Sequence, residues 1–430
     1  MARRSPDVPG CQWGSRRPSL LCVSSEPPDL PPNFPSGAPF GDDGSDPFKG
    51  MPLFGDLSRL FAQQGNMGWD AARQLALSVA TDGGQEPNVD PLERIRFEAL
   101  ARVAELQIAT ATGLPVSRSG LGITITPATR GQWVTSALDA WRPLFDALAG
   151  SLQNSSTDET LDPGNPLGFL APLMKMVGPM MLGMTAGSMV GHLARRSFGQ
   201  YDLPIPRTGS DELLVLPSNL DAFGEEWSLP PDDLRLWICL QEIAVHSVLL
   251  VPHVRTRLDD YLLRYVSSFE PDAGALEDHL GQLDITDPAA ITNIEVSFSD
   301  PQMLLGAMQS PAQRELLPGF ETLIATIVGY VDHIMDTVGT NLLTNYSMLS
   351  EALRRRRVEA DPSDRFVERL FGLELSQHTY ERGAAFVNGV VERAGAEGLG
   401  RLWESERTLP TPNELEAPGL WLARIEFAED

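Results

Sequence analysis

The stretch LWICLQEIAVHSVLLVPHVRTRL, residues 236–258, decides how this chain is read. Leu234, Trp237, Ile238, Val245, Val248 and Leu249 fall on one stripe at 100° per residue, which predicts an amphipathic helix. Ser228 is a candidate cap, Pro230 and Pro231 suit a first turn, and Asp232 and Asp233 complement the positive end of the helix dipole. Gln241 and Val245 sit in the middle of the stripe. Glu242 and His246 project from its flank, joined by His253 if the helix continues beyond Pro252.

Helical periodicity continues on both sides. From Met51, Leu57, Leu60 and Phe61 keep i, i+3, i+4 spacing, and a longer helix is predicted from Pro91 to Thr110. Thr129 is a plausible cap for a further helix that runs to Leu152 and carries Trp133, Trp141, Phe145 and Leu148. Strands are few: a short alternation at Gly122 to Thr126, and LLVL at Leu213 to Leu216. Met176 to Leu193 carries no formal charge over 18 residues and spaces Gly183, Gly187 and Gly191 as G-x-x-x-G-x-x-x-G. Pro179, Thr185, Ser188 and His192 weaken its apolar run, so a buried helix approached closely by another backbone is expected rather than a membrane span. Residues 1–50, rich in Pro, Gly, Ser and Asp, read as a disordered leader. The expected architecture is mainly α with a few short strands. It divides into an N-terminal helical region over 51–210, a core over 211–360, and a C-terminal helical region with a Pro-rich tail over 361–430.

The net charge of the 430 residues is -25, which opposes binding to nucleic acid or to an anionic membrane face. Three cysteines, Cys11, Cys22 and Cys239, are too scattered for a disulfide framework and fit a reducing, cytoplasmic setting. Arg354 to Arg357 reads as a solvated helix end. There is no Gly-rich phosphate loop after a strand and no G-x-S-x-G elbow.

The stretch at 236–258 resembles the central helix of a bacterial family of zincin-like metallopeptidases. There it carries H-E-x-x-H-H, an aliphatic run and V-P-H-V-R. Two His at i and i+4 share a helix face and bind one zinc, and the intervening Glu takes a proton from the metal-bound water. Aligned on Val251, Pro252, His253, Val254 and Arg255, the resemblance puts Gln241 at the first ligand position, Glu242 at the general-base position and Val245 at the second ligand position. His246 matches the extra His. FETLIATIVGYVDHIMDTVG, residues 320–339, resembles the family's E-G-Y-V-D-H segment. This implies Val328 at the third ligand position and Asp332 as the carboxylate that orients a ligating His. GQYDLPIPR (199–207), DRFVERLFGLEL (364–375) and TYERGAAFV (379–387) are also similar to the family, so the resemblance runs from about Phe48 to the C-terminus.

What the resemblance implies is a zincin-like helical domain that keeps the base and lacks all three ligands. Such a chain is a pseudo-peptidase with no cofactor, acting by binding a peptide or protein partner. The alternative is a working zinc-dependent hydrolase with a rearranged site, in which Glu242 remains the base and His246, His253 or Asp332 holds the metal.

Overall fold

The computed structural model describes residues 67–155, 170–207, 209–269, 310–358 and 367–427. All of these belong to one compact unit, Leu57–Asp430. The expected leader, Cys11, Cys22 and the Leu57, Leu60 and Phe61 stripe lie outside the described residues.

The described chain is mainly helical. Its helices are α1 (Met67–Ala80), α2 (Pro91–Thr112), α3 (Arg130–Ser155), α4 (Leu170–Arg196), α5 (Pro217–Glu226), α6 (Pro231–Leu250), α7 (Pro252–Ser267), α8 (Pro311–Leu342), α9 (Tyr346–Val358), α10 (Gln377–Gly400), α11 (Pro412–Glu416) and α12 (Pro418–Phe427). Two short strands, β1 (Thr124–Pro127) and β2 (Glu212–Val215), pair in parallel with Thr124 opposite Glu212.

Local chemistry explains the boundaries. The Asp90 carboxylate accepts the Leu92 N–H at 2.9 Å to start α2, and Gly113 closes it at φ 66°. Thr129 caps α3 reciprocally with Gln132: its hydroxyl accepts the Gln132 N–H at 3.2 Å, and the Gln132 amide oxygen accepts the Thr129 N–H at 2.9 Å. Ser228, expected to cap α6, does not. It takes φ 52° at the end of α5, where the Leu229 N–H reaches back to the Gly224 carbonyl at 2.8 Å. That is a helix stop of the Schellman kind, and α6 begins on Pro230 and Pro231 without a side-chain cap. Pro252 has no N–H and drives Val251 to ψ 116°, so the chain bends by 90° between α6 and α7.

The glycine stripe of α4 lies against α1. A Cβ on Gly187 would overlap the Ala72 carbonyl, and one on Gly191 would come within 2.7 Å of the Ala76 oxygen. No single helix among the described residues is long and apolar enough to cross a membrane. A second close approach fixes α8. A Cβ on Gly383 of α10 would overlap the Ala325 carbonyl of α8, and Gly329 meets Gly383 backbone to backbone. Helix α6 packs against α2 on one side and α8 on another, and 14 of its residues are buried.

Candidate functional site

Glu242 is fully buried on α6. Its carboxylate meets the turn that follows α4: the Gln200 N–H donates to Oε2 at 3.0 Å, and the Tyr201 N–H donates to Oε1 at 3.0 Å and Oε2 at 3.1 Å. Gly199 is required here, because a Cβ would overlap the Glu242 carboxyl group. Burial pushes the Glu242 pKa up to about 8 against the pull of the Tyr201 and Gln200 N–H groups.

The turn is gripped from its other sides. The Trp133 indole N–H donates to the Gly199 carbonyl at 2.7 Å. The Phe198 and Gly199 N–H groups donate to the Asp202 carboxylate at 3.1 and 3.3 Å. Arg207 is buried between Trp133 and Trp141, its guanidinium 5.3 and 5.2 Å from their ring centres, and donates to the Ser136 hydroxyl at 3.2 Å. Burial lowers the Arg207 pKa to about 10, and the Tyr201 and Glu242 charges oppose that.

His246 stands one turn beyond Glu242. Its Nδ1 lies 3.0 Å from the Tyr201 hydroxyl, while Nε2 is buried, without a hydrogen bond, 3.6 Å from the Asp211 carboxylate. Nε2 facing a carboxylate favours the Nε2–H tautomer, with Nδ1 accepting the tyrosine O–H. Burial holds the imidazole neutral, its pKa lowered to about 4 although Asp211 opposes this.

The positions singled out from the sequence occupy different settings. Val245 and Val328 are buried, on α6 and α8. Gln241 is half-buried, with a buried amide oxygen that has no hydrogen-bond partner. Because of the bend at Pro252, His253 stands on α7 and does not continue the flank of Glu242 and His246. Asp332 is held bidentately by Arg357 at 2.8 and 2.9 Å, and Arg357 stacks over Tyr380 at 4.3 Å. The four-arginine run is therefore only half solvated. Arg354 and Arg355 pair with exposed Glu351, whereas Arg356 turns inward to Asp202 at 3.0 Å and Arg357 to Asp332. Overall acidity says nothing about which individual carboxylates a helix end will meet.

Zinc demands three or more converging N, S or O donors. Among the described residues no group of three or more His, Cys, Asp or Glu side chains is arranged to hold a metal. An aliphatic group at residue 245 has no lone pair to offer. Among the described residues, those around Glu242 do not fit the ion.

Gly199, Gln200, Tyr201, Arg207 and Asp211 were not legible as site residues. Residue 200 lies 42 positions from Glu242, and no periodicity links a turn to a helix at that distance. The signal available was a Gly followed by Gln, Tyr and Asp directly after an apolar helix.

A family model described as zincin-like metallopeptidase matches residues 67–422. A crystal structure described as a "putative hydrolase with a novel fold", from Chloroflexus aurantiacus, is similar at 25% identity with a TM-score of 0.58, over 83% of this chain and 98% of that one. No curated protein matches.

Proposed function

This chain belongs to the zincin-like metallopeptidase family, and we propose that its zinc ligands have been replaced and that it acts by binding a peptide or protein partner rather than by hydrolysis. The observation that carries this reading is the character of the motif helix. In the H-E-x-x-H register Gln241 and Val245 stand at the two ligand positions, and Val245 is packed in the core. Val328 stands at the third, on the helix that packs against α6. Bulk water has a pKa of about 15.7 and needs a metal to fall to about 7, so Glu242 alone has no nucleophile to activate. Its carboxylate instead faces the Gln200 and Tyr201 N–H groups, which suits an anchor better than a base.

The rival is a hydrolase with a rebuilt metal site that uses Glu242 as base. It draws on the buried, unpartnered Nε2 atoms of His246 and His253. Against it, those two imidazoles stand on helices inclined at 90°, and the Asp332 carboxylate is engaged by Arg357.

Metal analysis of the purified full chain separates the two. Well under one equivalent of zinc is expected for the native sequence, and the triple change Gln241→His, Val245→His and Val328→Glu is expected to raise this to about one. Tightly held zinc in the native protein would overturn the proposal. No gain in the triple variant would show that the assigned register is wrong.

A further inference from the structure

Arg207 carries a buried charge that no side chain balances. It is 6% exposed, it remains a cation at neutral pH, and among the described residues it forms no ion pair. Its Nη1 and Nη2 groups donate to neutral oxygens, the Ser136 hydroxyl at 3.2 Å and the Gln200 carbonyl at 3.4 Å. Its Nε–H is buried and has no acceptor. Trp141 lies against it, 1% exposed, and shares the defect: the indole Nε1–H is also buried without an acceptor. Glu242, whose charge bears on Arg207, has its carboxylate oxygens engaged by the Gln200 and Tyr201 N–H groups. Cation–π contact with Trp133 and Trp141 offsets part of the cost of burying the guanidinium, but a ring face offers an N–H no lone pair. Buried donors are normally satisfied by a partner that the fold holds in place.

The chemistry of the two atoms selects that partner. Guanidinium and indole N–H groups only donate, so a cation is excluded and the occupant must accept. Water accepts, yet it brings two hydrogens that need acceptors of their own, and it leaves the charge unbalanced. A monovalent anion meets both demands at once. The setting favours a small one, since Trp141 is packed by Trp133 and Phe371 with ring centres 6.0 and 5.8 Å away. We propose that the Arg207 Nε–H and the Trp141 Nε1–H hold a buried halide ion, chloride in the cell. Such an ion neutralises the guanidinium and fixes it behind the turn whose Gln200 and Tyr201 N–H groups hold Glu242. The proposal does not depend on the state of the metal positions, because neither side chain belongs to the motif helix.

Thermal unfolding of the full chain at pH 7, with sodium chloride exchanged for sodium gluconate at constant ionic strength, tests this. Above half-saturation the unfolding equilibrium constant should fall about tenfold for each tenfold rise in chloride. Trp141→Phe keeps a ring and removes one donor, and should raise the half-saturating chloride concentration about tenfold. Arg207→Met should abolish the response; should that variant fail to fold, Trp141→Phe carries the test alone. Crystals of the full chain soaked in sodium bromide should show an anomalous peak within hydrogen-bond reach of both nitrogens. Equal stability in chloride and gluconate would overturn the proposal, as a bound water would give. A chloride response unchanged by Trp141→Phe, or a bromide peak only elsewhere, would overturn it too.

Discussion

Replacing Glu242 by Gln separates a buried titrating anchor from a metal-assisted base. In the folded protein burial raises the carboxyl from its ordinary 4.5 to about 8. Between these values the unfolded chain has released the proton and the folded chain still holds it. Stability therefore falls as pH rises through this window. The shift of 8 minus 4.5, at 1.36 kcal/mol per unit, sets a ceiling of about 5 kcal/mol, and relaxation of the buried turn brings the expected change nearer about 3 kcal/mol. Gln cannot titrate. Near pH 5 the variant should be less stable by about 1 kcal/mol, because its amide nitrogen must face one of the Gln200 and Tyr201 N–H groups. By about pH 9 the order should reverse. His246, neutral in the fold with a pKa of about 4 against an ordinary 6.5, adds stability that is present above pH 6.5 and is lost as pH falls toward 4. That slope is common to both proteins and cancels in their difference. Urea unfolding of both proteins at three pH values across this range measures the crossover. A difference that stays constant with pH would refute the reasoning. A dication bound beside Glu242 would pull its pKa down, so a crossover that vanishes on adding zinc would favour the rival reading.

Gly383→Ala should cost about 1–3 kcal/mol in urea unfolding, since the new methyl meets the Ala325 carbonyl, which is backbone and cannot swing away. Adding Gly329→Ala should cost less than its separate effect, because both methyls demand the same widening between α8 and α10. Asp332→Asn should lower stability by about 1–2 kcal/mol by breaking the bidentate contact with Arg357, without altering metal content; an unchanged unfolding temperature would show that the ion pair is idle.

The helices were largely legible because their causes are local. Pro91 in the first turn of α2, the Thr129 cap and the stripe on α6 each act within a few residues. The glycine spacing of α4 announced a close approach, although nothing in it named α1 as the neighbour. Errors arose where the cause was distant or ambiguous. Ser228 has the residue type of a cap, yet it takes the left-handed region at the end of α5, which its type does not announce. The bend after α6 was signalled by Pro252, and it separated His253 from the flank where 3.6 periodicity had grouped it. The inward turn of Arg356 and Arg357 depends on Asp202 and Asp332, which only the fold brings near.

Which motif positions differ from H-E-x-x-H also follows from packing, on the reading that the metal is lost. Without zinc, a His at 245 would sit in the core as a neutral imidazole with at least one unsatisfied nitrogen, and a Glu at 328 as a buried carboxyl group, each at a cost of about 1–3 kcal/mol. A Val there gains about 1.5–3 kcal/mol from burial. The fold alone therefore favours Val at both positions once coordination no longer repays the buried polar group. Glu242 is in the reverse situation. Removing it would leave the Gln200 and Tyr201 N–H groups buried and unpaired, on a turn that Trp133 and Asp202 already hold in place. A carboxyl group at 242 is thus explained by the turn it supports, and its persistence beside Gln241 and Val245 needs no residual catalysis.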